Sequence, residues 1–351
     1  MNKFTSLSRI DTRKNSNIKL IRNKDLIAIV SNAFPNQSIK KVSEIKSGNF
    51  NTTYKIALES LDPIILRIAP NDALKIYLHE TRLIKREYSV NQMLTSADKL
   101  VSKIIFADFT RKIINRDYTL QQFINGDIWD SQIINLSQQQ NIDLWKQLIK
   151  ISENISKVGD INFGFPDPKL QFTSWKLALI SILKNMIQDL DKYSMNIYGP
   201  KELLELIFKD KKYINEISKA KLVHGDLWPK NVLMKVKRNK EVSIVGLIDS
   251  ERAFWGDPRA EWIFPNSQFA GQKTKFNKMF RCALFSADYS EIPTEIGKIF
   301  NNQNIGEFFR DQVYLGIYLT QRKLESQRYP RSEYWIEDEF KAIIANLTKL
   351  F

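Results

Sequence analysis

A chain of 351 residues with 43% hydrophobic content and 21 Phe has material for one large domain or for two lobes around a cleft. Its single cysteine, Cys282, excludes an intramolecular disulfide, and the lack of an 18-residue apolar run excludes a membrane-spanning helix. The net charge of +14 is uneven: residues 1–126 carry 21 Lys/Arg against 11 Asp/Glu, and residues 127–351 carry 32 against 28.

Much of the first excess lies in residues 1–22, a polar, basic stretch without sustained periodicity that reads as a flexible, solvated arm. It has no apolar centre of the secretory type, and with one cysteine the expected location is cytoplasmic. No zinc finger, RNP-type aromatic motif or helix-turn-helix pattern is present, so neither nucleic acid nor membrane is an expected partner. A short helix follows, with Asn23 as N-cap, Ile27, Ile29, Val30 and Phe34 as its apolar side, and Pro35 beyond its end.

From Lys41 the period shortens towards two. Val42–Lys46, Thr52–Leu58 and Ile64–Ile68 read as successive strands, and KIIFADFT and DYTLQQF complete an antiparallel sheet of five. Ser47, Gly48 and Asn49 lie in the turn between the first two strands, where small and amide residues let backbone N–H groups approach a phosphate. Arg67 sits among apolar neighbours on the third strand, and an inward-facing cation there requires an anionic partner. The following helix, His79 to about Leu94, offers Glu80 and Glu87.

Beyond Gly126 the pattern is helical. Ser137-x-x-Gln140 is a capping box ahead of Leu144, Leu148, Ile151 and Ile155. The loop Phe163–Pro168 interrupts it, and helices near 172–191 and 200–219 lead on. Trp129, Trp145 and Trp175 could line a substrate pocket, but such residues more often serve core or interface packing, and they are not counted among the site residues. The last ninety residues show amphipathic helical spacing, as in Phe308, Val313, Leu315, Ile317 and Leu319.

The stretch from Leu222 to Gly256 carries the chemistry. Asp226 opens D-L-x-x-x-N, the spacing of a kinase catalytic loop, in which the aspartate orients the acceptor hydroxyl and the asparagine, here Asn231, holds Mg²⁺. Asp249 follows the apolar run Val245–Ile248, a short buried strand that would present it to a phosphate-bridging metal. Oxygen ligands at this spacing suit Mg²⁺; zinc's usual thiol and imidazole ligands are missing.

HGDLWPKN, the Ile-Asp eighteen residues after Asn231, and GDPRAEW together resemble the aminoglycoside phosphotransferase family, relatives of choline, homoserine and fructosamine kinases. The resemblance implies an α+β, protein-kinase-like, two-lobed fold. Residues 23–123 would form the nucleotide-binding lobe, 124–128 the linker, and 129–351 a mainly helical catalytic and acceptor lobe. It implies ATP and Mg²⁺, with the γ-phosphate passing to a hydroxyl of a small molecule, in a monomer or homodimer. It selects Glu87 as the partner of Arg67, which stands where the family usually has lysine, and gives Arg67 the α- and β-phosphates. Adenine falls to the Gln122 C=O and the Ile124 N–H. His224 would hold the loop through hydrogen bonds, Glu251 would stand behind the metal or pair with a cation, and Asp257 would cap the helix starting at Pro258. Trp228, where protein kinases commonly carry lysine, points to the small-molecule branch. HGDLW is also similar to fructosamine kinases, although Pro229-Lys230 replaces their Ser-Gly. The non-enzymatic alternative is a nucleotide-binding pseudokinase scaffold.

Overall fold

Apolar alternation between Ile39 and Gln122 resolves into five strands in the structure, a computed structural model that describes residues 21–45, 50–70, 77–263, 274–287, 304–328 and 335–351. They are β1 (Ile39–Ile45), β2 (Thr52–Leu58), β3 (Ile64–Ile68), β4 (Ile104–Asp108) and β5 (Tyr118–Gln122). All pair antiparallel, in the order β1-β2-β3-β5-β4. Thr52, Tyr54, Ile56 and Leu58 of β2 are buried at every second position, as a half-covered sheet requires. Helix α1 (Asn23–Ala33) contributes Leu26, Ile29 and Val30 to the same core. The N-cap is Arg22 and not Asn23, which is the first helical residue; the Arg22 guanidinium bonds Asp25 at 2.7 Å. Leu26 takes the inward place expected of Ile27, because positions 26, 29 and 30 share one helical face.

Residues 1–20 of the expected arm, and Ser47, Gly48 and Asn49 of the expected phosphate turn, lie outside the described residues. Ile21 is buried, and its N–H donates to the Tyr54 hydroxyl at 3.3 Å.

The helix expected from His79 begins later. Leu78–Glu80 is a single 3₁₀ turn, and Arg82 with φ of 61° interrupts any continuation before α2 (Leu83–Ala97). Asn91 ties α2 to the sheet: its amide donates to the Ser102 carbonyl and accepts from the Ile104 N–H, both at 2.8 Å.

After Gly126 the chain forms β6 (Asp127–Ile128), α3 (Trp129–Gln132), α4 (Gln138–Ile155), β7 (Gly159–Asp160), β8 (Phe163–Gly164), β9 (Gln171–Phe172) and α5 (Trp175–Lys192). Next come α6 (Pro200–Lys209), β10 (Ala220–Val223), β11 (Val232–Val236), β12 (Val242–Leu247) and β13 (Phe254–Gly256), then α7 (Thr274–Phe285), α8 (Ile305–Ser326) and α9 (Trp335–Thr348). Both halves of the Ser137/Gln140 capping box are made, at 2.8 and 3.2 Å. Helix α6 stops ten residues short of expectation, because the Asp210 carboxylate accepts the N–H groups of Lys212, Tyr213 and Ile214 and turns the chain.

The helical part has its own core. Trp129 meets Trp145 edge-on at 4.9 Å between ring centres, and Trp145 meets Phe280 at the same distance. Trp175 stacks on Phe254 and donates its indole N–H to the Tyr314 hydroxyl at 2.7 Å. That hydroxyl donates to Asp257 at 2.8 Å, and Asp257 also caps the 3₁₀ turn Pro258–Trp262. Cys282 is buried on α7.

Candidate active site

Strand β10 ends at Val223, and the chain turns through Gly225, whose φ is +80°. A Cβ there would lie 2.3 Å from the Arg252 carbonyl oxygen, so both conformation and space require glycine. The turn presents Asp226, and the 3₁₀ turn Pro229–Asn231 brings Asn231 back to it. The Asn231 amide donates to the Asp226 carbonyl at 2.9 Å and to its carboxylate at 2.7 Å. Burial raises the Asp226 carboxyl to about 6, opposed by the nearby Arg252 charge and the Asn231 bond and aided by Asp249.

Glu261 supports this loop from beneath. Its buried carboxylate accepts the N–H groups of Gly225 at 3.0 Å and Leu227 at 2.9 Å. Sequence reading gave it no role, although it lies in the GDPRAEW segment. The task expected of His224 therefore falls to Glu261. His224 is fully buried, burial holds its ring near 4 and hence neutral, and among the described residues its ring nitrogens find no hydrogen-bond partner.

Strand β12 delivers Asp249. The Leu247 N–H donates to the Leu100 carbonyl at 2.7 Å, and the Ile248 N–H donates to the Asn231 carbonyl at 3.0 Å, so the two acid-bearing segments are pinned together. Asp249 has φ of +66°, uncommon outside glycine, which swings its carboxylate out of strand direction.

Arg67 reaches this point from β3. Its Nη1 lies 2.8 and 2.9 Å from the two Glu87 oxygens, and its Nη2 lies 2.5 Å from Asp249 and 2.9 Å from Glu251. The Asn51 amide donates to Glu251 at 2.7 Å. Burial opposes charge on Arg67, but Asp249, Glu87 and Glu251 outweigh it and hold the guanidinium firmly protonated. Burial likewise pushes Glu87 and Glu251 upward, each opposed by Arg67.

Gln122 and Ile124 lie where β5 leaves the sheet. The Gln122 carbonyl accepts from the Ser102 hydroxyl at 3.2 Å. The Ile124 side chain rests on Gly246, where a Cβ would approach it to 2.6 Å.

Helix α8 closes the other side. Arg252 Nη2 lies 3.0 Å from Glu325, Arg328 pairs with Glu80, and the Tyr77 hydroxyl donates to the Leu324 carbonyl. Sequence reading did not single out Arg252 or Glu325.

The donor set bears on Mg²⁺. Among the described residues no group of three or more His, Cys, Asp or Glu could hold a metal. Asp249 keeps one carboxylate oxygen clear of Arg67, and Asn231, whose amide nitrogen faces Asp226, keeps its amide oxygen. One carboxylate and one amide oxygen fit Mg²⁺, which takes few protein ligands and fills its octahedron with phosphate oxygens and water.

Residues 41–263 match the model of the phosphotransferase enzyme family, APH. No curated protein matches the chain. Among solved structures, the chain is similar to a thermostable mutant of aminoglycoside phosphotransferase APH(4)-Ia in ternary complex with AMP-PNP and hygromycin B. Identity is 13% and the TM-score 0.61, over 92% of this chain and 98% of that one. It is also similar to the GDP complex of wild-type aminoglycoside 2'-phosphotransferase-IIIa, at 14% identity and a TM-score of 0.55, over 94% and 100%. At such identities the likeness is one of fold: a kinase-like five-stranded sheet followed by a helical region.

Proposed function

The chain belongs to the phosphotransferase enzyme family, and from that premise we propose that it moves the γ-phosphate of ATP to a hydroxyl of a small molecule with Mg²⁺. The observation that carries this reading is the meeting of Asp226, Asn231, Asp249, Arg67 and Glu87, drawn from separate elements, through Asn231–Asp226, Arg67–Asp249 and Arg67–Glu87 bonds and the Ile248-to-Asn231 backbone bond.

Asp226 accepts the proton of the acceptor hydroxyl as its oxygen bonds to the γ-phosphorus and the bond to the β,γ-bridging oxygen breaks, releasing ADP. The Asn231 amide fixes the Asp226 carboxylate, so that its other oxygen faces the acceptor. Mg²⁺, when bound by Asn231 and Asp249, supplies positive charge to the phosphate oxygens. Arg67, steadied by Glu87, adds its charge at the α- and β-phosphates. Gln122 C=O and Ile124 N–H take the adenine edge.

A screen of ADP release tests the reading, run with ATP and with GTP over aminoglycosides, macrolides, amino alcohols, glycated amines and sugars. Mg²⁺-dependent turnover with one acceptor class is the expected result. Failure to bind ATP with or without Mg²⁺ would overturn it.

A further inference from the structure

Helix α8 carries Tyr318, Arg322 and Glu325 at i, i+4 and i+7, so the three share one face. That face stands beside the catalytic loop. Glu325 accepts from Arg252 Nη2 at 3.0 Å, and the Arg252 backbone packs over Gly225, next to Asp226. The Tyr318 phenol, held protonated by burial, senses the charges of Arg322, Glu325, Asp226 and Arg252 together.

The charges around Asp226 are mostly committed. Glu325 accepts from Arg252 and from the Gln321 amide, at 3.0 and 2.9 Å. Glu80 holds Arg328, and Glu87, Asp249 and Glu251 all hold Arg67. Arg322, half-buried, has no ion pair among the described residues. Glu80, Glu87, Asp249, Glu251 and Glu325 are thus each tied to an arginine of the protein, whereas an anion entering beside Glu325 would find one guanidinium without such a tie. Unmatched charge on one side of a site selects the opposite charge in its ligand.

We infer that the Tyr318–Arg322–Glu325 face of α8 walls the acceptor site, and that Arg322 selects an acceptor bearing a carboxylate or a phosphate ester besides its reactive hydroxyl. This rests on the kinase reading above and narrows its substrate class to hydroxy anions.

Calorimetric titration of the full chain, saturated with AMP-PNP and Mg²⁺ at constant ionic strength, tests it. The probes are gluconate and glucose 6-phosphate as carboxylate and phosphate-ester anions, glucose as their neutral counterpart, and kanamycin as a polycation. At least one anion is expected to bind about tenfold more tightly than glucose, the scale of one charge-assisted contact. Arg322→Gln should abolish that preference and Arg322→Lys restore part of it, with melting temperatures unchanged. A preference for gluconate identifies the carboxylate, and one for glucose 6-phosphate the phosphate ester. Kanamycin binding more tightly than glucose, no anion preference, or a preference that survives Arg322→Gln would each overturn the assignment. AMP-PNP binding is the control: its absence would strike the kinase reading itself, while its presence with any of those results strikes the acceptor assignment alone.

Discussion

Asp226 and Asp249 differ in what surrounds them, and their variants should fail differently. Asp226 is raised to about 6 chiefly by burial, so its carboxylate form is lost as pH falls through that value. Turnover per KM should therefore decline below about pH 6, in a pH–rate profile taken with a non-titrating acceptor. Asp226→Ala should reduce turnover by about 10²–10⁴, the usual contribution of a positioned acid–base group, and leave ATP affinity nearly intact. Loss of binding with unchanged turnover per bound complex would remove it from the chemistry. Asp249→Asn keeps a side chain that tolerates the left-handed backbone but loses the anionic oxygen, so Mg²⁺-nucleotide affinity should fall. ADP titrations with and without Mg²⁺ check this, and an unchanged metal dependence would place the ligand elsewhere. Arg67→Ala and Glu87→Ala each strand a buried partner, at a cost of about 3–5 kcal/mol, so their double-mutant cycle in ATP affinity should be strongly non-additive. The Arg67–Glu87 meeting was legible because a buried cation needs an acid, which left Glu80 and Glu87, and the family resemblance chose between them. The Arg252–Glu325 and Glu261–Gly225 contacts were not, since their partners stand 73 and 36 residues apart with no periodic rule linking them.

Elements were legible where one local rule dominated. Period-two burial gave the strands of the sheet, and the Ser137/Gln140 box gave the start of α4. Replacing Ser137 by Ala should lower stability by about 1 kcal/mol, read as a shift in denaturant midpoint with unchanged slope. Boundaries set by single backbone choices were not legible. Nothing in the composition of Arg82 announces a left-handed residue, and together with the extended Thr81 it separates the 3₁₀ turn at Leu78 from α2. Asp210 could equally have sat within a helix; its three backbone acceptances, visible only in three dimensions, end α6. Tertiary contacts decide such positions, and a one-dimensional pattern carries no trace of them.

Over the whole molecule, the acids held above their ordinary range give folding a pH dependence. Burial raises Glu261 to about 7 and Asp226 to about 6, each well above its value in an unfolded chain. A group raised on folding adds stability that is complete below its unfolded value and is lost as pH rises through its folded one. These two groups should therefore make the melting temperature fall between about pH 4 and pH 7, and Glu261→Gln should flatten part of that slope. Cys282 offers a separate view of the same fold. As the only thiol in the chain, and one enclosed on α7, it is a built-in reporter that needs no engineering. A thiol-specific chromogenic disulfide should label native protein only as fast as the helical core opens, and mild denaturant should quicken labelling long before the chain unfolds globally if α7 opens as a local unit. Coincidence of labelling with global unfolding would instead make α7 part of one cooperative body, with the helical core breathing as a whole.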